Sequence, residues 1–383
     1  MLVKKIENKF RSLYSTDPVF FRSPGRVNLI GEHTDYNNGY VMPAAIDREM
    51  VFAVAKNQRD VGRVYSLNLD QSFEFNVDNF EKSAKDWLNY ILGIVSELRK
   101  DGLIIGGFDC VLGSDIPMSA GMSSSVAMQC GAAFFLNHLF ELGLSRMQIA
   151  QYALRAENRY VGVPGSMPGH FVNMFGKTNH FVKLDCQSLD HEFIEMDLPN
   201  YRVILFDSQV KTSLADSQLK RRKKECEQGV AIINKYFPEV KNLRDCKPDM
   251  LLKCRDELGP LLFRRCDYVI KENMRVLEGS EDIKKNRMEA FGKKMFDSHA
   301  GLKNDYEVSI EPLDFLIEEV KKYKSVLGAR MTGLGFGGST INLVKDYDRE
   351  EFIGEVQKRY KKFFRKDLLV YKVKITKATG LVV

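Results

Sequence analysis

The chain has 383 residues, 44% of them hydrophobic, with 57 basic against 51 acidic side chains and a formal charge of +6. That length can bury more than one core and predicts two domains, and so mild a charge suits an anionic nucleotide but gives no reason to expect nucleic acid as a partner. Seven cysteines without a Cys-x-x-Cys pair read as free thiols of a reducing compartment, and with no leader-like start and no apolar run of about eighteen residues the expectation is a cytoplasmic monomer away from membranes.

The first predicted element lies in residues 23–47, SPGRVNLIGEHTDYNNGYVMPAAID. Val27 and Leu29 alternate with Arg26 and Asn28, which reads as a short strand, and Asn38-Gly39 reads as a tight hairpin turn. Glu32, His33 and Asp35 then project from one loop as donors and acceptors for a small polyhydroxylated ligand, with Arg26 beside them as a fixed positive charge. Strands follow at 50–55 and 62–67, a helix at 87–100, a strand at 108–112 and a helix at 123–140. Trp87 and Tyr90 share a helix face and either pack on the core or flank a nucleotide. Ser145 can cap the next helix, in which Ile149, Ala153, Ala156 and Tyr160 form a stripe with Glu157 just beside it.

Near residue 200 the pattern changes, and this sets a division into 1–200 and 201–383. A strand at 202–206 leads into a long charged helical region. Within it the run LKRRKK at 219–224 is read as a solvated helix face rather than a nucleic-acid patch, since Glu225 and Glu227 follow. The end of the chain reads as strand 328–331, glycine-rich turn, strand 340–344, helix 349–364 and strand 369–375. That order predicts an α+β fold whose second lobe is a ferredoxin-like split β-α-β unit, with helices on one face of a mainly antiparallel sheet.

Phosphate chemistry is written at residues 112–128, LGSDIPMSAGMSSSVAM. A strand ends, a loop rich in Gly and Ser follows, and a helix begins, so free amides and the positive helix end converge on one point. Ser123, Ser124 and Ser125 add hydroxyls for phosphate oxygens or a magnesium ion. The loop lacks the Gly-Lys-Ser/Thr of a Walker sequence. Farther on, GLGFGG at 333–338 matches Gly-x-Gly-x-x-Gly by spacing, but a strand follows it instead of a helix, which excludes a Rossmann site.

These segments together resemble the galactokinases within the GHMP family of small-molecule kinases. The resemblance rests on residues 23–47, the loop at 113–127, Ala-Glu-Asn at 156–158, DYEVS at 305–309 and the stretch around Gly333, and so spans almost the whole chain. It implies a two-lobed GHMP-kinase-like fold with the active site in the cleft, ATP and Mg2+ as cofactors, and phosphorylation of the anomeric hydroxyl of galactose or a related sugar. It further implies nucleotide contacts at Gly113, Ser119, Gly121, Ser123, Ser124, Ser125 and Gly335, and metal contacts at Ser124, Ser125 and Glu157. Sugar contacts are implied at Glu32, His33, Asp35, Ser166 and Leu219, and a charge-stabilising role for Arg26.

Several positions depart from the family pattern. The family's catalytic aspartate, twelve residues after the glutamate, falls on Gly169 in VGVPGSMPGHF at 161–171. A sugar-contacting tyrosine corresponds to Leu219, and a histidine to Thr212. Ser119 replaces a glycine, Leu334 a small residue and Ser339 a cysteine. His170 either substitutes in part as a base or is a surface histidine in a loop. Because phosphoryl transfer depends mainly on positioning and charge neutralisation, the expected function is a sugar kinase of reduced activity. The alternative is a kinase-like protein that binds nucleotide and sugar as a sensor, or a variant engineered from an active parent.

Overall fold

Hydrophobic alternation builds the first sheet. The computed structural model describes residues 2–117, 121–196, 200–210, 215–345 and 349–382. Its first half runs α1 (Leu2–Leu13), β1 (Val19–Asn28), β2 (Tyr40–Val41), β3 (Pro43–Lys56), β4 (Val61–Ser66), β5 (Gln71–Asn76), α2 (Asn89–Lys100), β6 (Phe108–Ser114), α3 (Ser124–Leu139), α4 (Arg146–Ala156), α5 (Met167–Phe175), β7 (His180–Asp185) and β8 (His191–Glu195). β3 is much longer than the expected 50–55 because it continues through the polar Asp47-Arg48-Glu49. A register shift opposite Pro24 and Gly25 of β1 absorbs that interruption. The apolar face of this sheet packs on α2, α3 and α4, while α1, which the sequence left unassigned, covers the other face with Ile6 and Phe10 against Val51, Ala53 and Val111. Ser145 caps α4 as expected, in a reciprocal capping box with Gln148.

From residue 201 the chain runs β9 (Tyr201–Asp207), α6 (Ala215–Tyr236), α7 (Pro248–Lys253), α8 (Arg255–Lys284), α9 (Met288–Asn304), α10 (Glu311–Val320), β10 (Val326–Met331), β11 (Ser339–Lys345), α11 (Arg349–Phe364), β12 (Leu369–Val373) and β13 (Gly380–Leu381). The sheet order is β10-β11-β9-β12 with every pairing antiparallel. Taken as the first to fourth strands of a β-α-β-β-α-β chain, they lie in the order 2-3-1-4, which is the expected ferredoxin-like arrangement. Phe352, Val356 and Tyr360 of α11 and Leu316, Ile317 and Val320 of α10 fill its covered face. The last residues return to the first sheet, where β13 pairs with β1 and Ile375 bridges Ile46. Among the described residues no helix is long and apolar enough to cross a membrane.

The charged run on α6 differs from its expected role. Arg222 is buried, donating from Nε to the Tyr306 carbonyl at 2.7 Å and pairing with Glu225 at 3.1 Å. Arg265 of α8 joins the same carboxylate at 3.0 Å and Glu307 at 2.6 Å. Two arginines in this run's neighbourhood therefore clamp DYEVS to α6, so the face is not simply solvated. The buried charges are shared among Glu225, Glu307 and backbone carbonyls, as desolvated ions require.

Candidate active site

The loop after β1 is a small self-closed unit. Its Asn38-Gly39 does not form the two-residue hairpin expected of it: Asp35–Asn37 is a turn of 3-10 helix, and Asn38 alone is left-handed, at φ 56°. Gly39 is needed for another reason, since a Cβ there would come 2.2 Å from the Asn273 Oδ1. The Thr34 hydroxyl bridges the Gly31 and Tyr40 carbonyls at 2.9 and 2.7 Å, and α8 docks the loop from outside through Glu272 Oε1 on the Gly31 amide at 2.8 Å and Tyr268 Oη on the Glu32 carbonyl at 3.0 Å. This scaffolding holds His33 at the strained φ of 64°.

Across from this loop stands a cavity of about 410 Å³. Arg26, Glu32, His33, Asp35, Ser123, Ser125, Glu157, Ser166, Gly169, His170 and Leu219 all line it, so most of the expected site residues meet in one place. Four of the described ones do not line it. Ser124 is the first residue of α3. Gly113 lies in β6 with its Cα against Ile6 and Leu2 of α1, and Gly335 abuts the Val308 carbonyl, where a Cβ would come within 2.3 Å. Ser119 and Thr212 lie outside the described residues. Gly121 and Gly333 instead face each other, a Cβ on Gly333 standing 4.0 Å from the Gly121 Cα, and both have positive φ. The two glycine loops thus converge at the cavity through these two residues, where nothing larger than hydrogen projects from either backbone.

Charge in the cavity is uneven. Glu32 is buried, and Oε1 is held by Arg330 at 2.9 Å, the Gly333 amide at 2.8 Å and the Thr332 hydroxyl at 3.1 Å. Burial works against its ionisation, but Arg330 and Arg26 more than offset this and hold its carboxyl below the usual range. Asp35 accepts the Ser166 hydroxyl at 2.5 Å. His33 Nδ1 lies 2.8 Å from the Tyr36 hydroxyl, which meets the Tyr306 hydroxyl at 2.7 Å, so DYEVS buttresses the loop directly. Arg26 is pinned by its amide on the Met122 carbonyl at 3.0 Å and its guanidinium on the Gly121 carbonyl at 3.2 Å. Among the described residues it makes no ion pair. Lys220 and Lys223 also line the cavity, and Leu334 stands on its wall with 44% of its side chain exposed, so its bulk is at the mouth and not between the phosphate loops.

His170 is neither of the two things expected of it. It is fully buried, not a surface residue, with Nδ1 3.1 Å from the Ser166 carbonyl and Nε2 3.6 Å from Glu157. The carbonyl requires a proton on Nδ1, which leaves Nε2 as an acceptor aimed at Glu157. Burial lowers its pKa to about 4, so it is neutral and too weak a base at neutral pH to replace a carboxylate. Glu157, expected beside the helix stripe, is itself buried at the π-helical turn Glu157–Val161 that ends α4. A Cβ on Gly165 would come 2.0 Å from its Oε2, so glycine is required there. Burial raises its pKa to about 7, with Arg26 and the Ser125 hydroxyl pulling the other way.

A hard divalent cation fits this pair. Ser125 and Glu157 both line the cavity, and among the described residues the buried carboxylate has only a neutral imidazole within ion-pair distance. Magnesium takes one or two protein oxygens and completes its shell with phosphate and water. Glu157→Gln tests the balance in metal-free buffer. With its folded pKa raised from 4.5 to about 7, the folded chain keeps a proton that the unfolded chain loses, so Glu157 costs stability increasingly as pH rises from 4.5 to 7. The variant is expected to melt a few degrees higher than the unaltered chain at pH 8 and much closer to it at pH 5. Equal shifts at both pH values in differential scanning calorimetry would refute the assignment.

Known proteins agree with this architecture. Residues 8–56 match the galactokinase galactose-binding signature, residues 89–176 the GHMP kinases N terminal domain and residues 280–362 the GHMP kinases C terminal domain. With the two-lobed fold, these define a small-molecule kinase of the GHMP class. A mevalonate kinase from Methanococcus jannaschii shares the fold at a TM-score of 0.66 and 18% identity over 95% of this chain and 100% of its own. A galactokinase from Roseiflexus is 34% identical over 99% of this chain and 97% of its own length, and one from Exiguobacterium sibiricum 38% identical over 89% and 88%. The galactokinase of Lactococcus lactis, solved with galactose bound, superimposes at a TM-score of 0.94 with 30% identity over the whole of both chains. The chain belongs to the galactokinase family.

Proposed function

We propose that the chain transfers the γ-phosphate of ATP to the anomeric hydroxyl of galactose or a closely related sugar, with Mg2+, and that it does so slowly. The observation that carries the reading is the meeting of Gly121 and Gly333 beside a cavity that Glu32, His33 and Asp35 also line. The triphosphate would lie along the glycine loops, and Ser125 and Glu157 would hold the metal, which would help to neutralise the phosphates. Arg26, Lys220 and Lys223 neutralise the charge that accumulates on the transferring group. The sugar stands on the His33–Asp35 loop, held in line with the phosphate. Ser166 orients Asp35 for this contact.

Slowness follows from what faces the sugar oxygen. Gly169 offers no base, His170 is neutral and engaged, Glu32 is spent on Arg330, and Asp35 is spent on Ser166. Positioned general-base help is worth roughly 10²–10⁴-fold in rate, and an ordinary kinase turns over at about 1–100 s⁻¹. Coupled measurement of ADP release over a panel of sugars is expected to show galactose-dependent turnover that is real but well below this range. Turnover within it would show that the missing carboxylate matters little. Should no sugar raise ADP release while ATP and galactose both bind in calorimetry, the sensor reading, favoured by Gly169 and Leu219, replaces this one.

A further inference from the structure

His33 stands at the cavity end of a chain of hydrogen bonds. The residue is 3% exposed, and its ring packs against Tyr306 at 4.9 Å and edge-on against Tyr36 at 5.8 Å. From Nδ1 the chain runs 2.8 Å to the Tyr36 hydroxyl, 2.7 Å on to the Tyr306 hydroxyl and 3.2 Å to the Cys226 Sγ of α6. The Asn37 side chain, whose Nδ2 also donates to the His33 carbonyl at 2.9 Å, donates to that sulfur. Burial keeps both phenols and the thiol protonated at neutral pH, and it keeps the imidazole neutral. Each of the four groups therefore has one proton to place.

Only one order uses these protons well. Run outward, the chain would spend the imidazole proton on Tyr36 and end on the sulfur, a weak acceptor that Asn37 already occupies, with the thiol proton left over. Run inward, the thiol donates to Tyr306, Tyr306 to Tyr36 and Tyr36 to Nδ1, so the last bond ends on the best acceptor of the series. The inward order puts the ring's own proton on Nε2. That atom is buried and has no hydrogen-bond partner among the described residues, and His33 lines the cavity together with Asp35. A buried donor left without a partner inside the protein is completed by a ligand.

We propose that Cys226, Tyr306 and Tyr36 preset the tautomer of His33, so that its Nε2–H donates to a hydroxyl oxygen of the sugar while the Asp35 carboxylate accepts the sugar's hydroxyl protons. The three act through His33 and are positioning residues, and the inference rests on the reading of the chain as a sugar kinase. Tyr306 and Cys226 lie far along the chain from the first loop, so the donor that selects the sugar is set from α6 and the DYEVS segment. A ligand group that can only donate, such as the ammonium of an amino sugar, finds no acceptor at Nε2.

The tautomer is read from long-range 1H–15N spectra of the 15N-labelled unaltered chain at pH 8, and among the six histidines the His33 signals are identified by their loss in His33→Gln. A proton on Nε2 and a bare, hydrogen-bonded Nδ1 are expected. Tyr36→Phe keeps the packed ring but removes the donor to Nδ1, and Tyr306→Phe removes the group that directs it. In both variants the proton is expected to divide between the two nitrogens. In Tyr36→Phe the affinity for galactose in calorimetry is expected to fall several-fold to about tenfold, the size of one hydrogen bond, with the affinity for ATP unchanged. A proton on Nδ1 in the unaltered chain, or a tautomer unmoved in both phenylalanine variants, overturns the relay. If galactose-dependent ADP release is intact in the unaltered chain, the kinase reading survives that result; if the unaltered chain binds no galactose, both fail.

Discussion

Gly169→Asp is expected to raise galactose turnover by about a hundredfold to ten-thousandfold, with little change in the affinity for ATP. The size is that of a positioned general base, and the geometry accounts for the placement. Position 169 is the third residue of α5, where backbone angles are helical and a carboxylate is favoured by the helix dipole. The Cβ meets nothing closer than 3.5 Å, so neither strain nor overpacking opposes the change. Its carboxylate reaches the side of the Arg26 guanidinium, which holds it ionised and aimed into the cavity. The effect belongs in kcat, because the new group acts on a proton that moves only in the transition state. Steady-state kinetics on the variant decide the matter. A rate unchanged within twofold would place the deficit elsewhere, with Leu219 first in line, since it shares the same cavity wall.

Much of this site was legible in the chain. The loop acids and the serines of the phosphate loop could be found because each depends on local spacing, and the missing carboxylate at 169 because the resemblance to galactokinases implies one there. Contacts that support the cavity through distant partners could not. Tyr36 and Tyr306 meet hydroxyl to hydroxyl only because α6 and α8 fold DYEVS back on the first loop, and no local pattern encodes that. Lys220 and Lys223 were passed over with the whole basic run, although helical spacing sets them one and four residues from Leu219. Gly113 was a different error, since strand alternation places it on the face of Val111, and Val111 packs beneath α1. The expected turn at Asn38-Gly39 failed because the dipeptide's local preference was overridden by Asn273, whose side chain takes the space that a Cβ at Gly39 would need. The glycine-rich stretch was read correctly in kind, but alternate glycines serve different ends: Gly333 faces the phosphate loop and Gly335 faces Val308.

The joint between β10 and the first loop is where the largest loss of stability is expected. Arg330 is fully buried and ties β10 to residues 28–32: its Nε donates to the Leu29 carbonyl at 3.0 Å, and Nη2 to the Asn28 carbonyl at 3.2 Å and to Glu32 at 2.9 Å. Its Nη1 donates to the Met331 carbonyl. Arg330→Met keeps the volume roughly but strips the charge, leaving Glu32 ionised and buried with only Thr332, Asn28 and the Gly333 amide. Breaking a buried pair from one side costs about 3–5 kcal/mol, and urea unfolding should show it as an earlier midpoint. The dependence on pH identifies the cause. In the unaltered chain Glu32, held below its usual value, contributes stability that is present above pH 4.5 and lost as pH falls toward its folded value. In the variant the sign reverses, because burial, the largest influence on Glu32, is then opposed only by Arg26 and the remaining hydrogen bonds and raises the carboxyl, and protonation in acid relieves the strain. The gap between variant and parent should therefore be wide at pH 8 and narrow by pH 4.5. A gap that stayed constant would mean that lost packing, not an abandoned charge, weakens the joint.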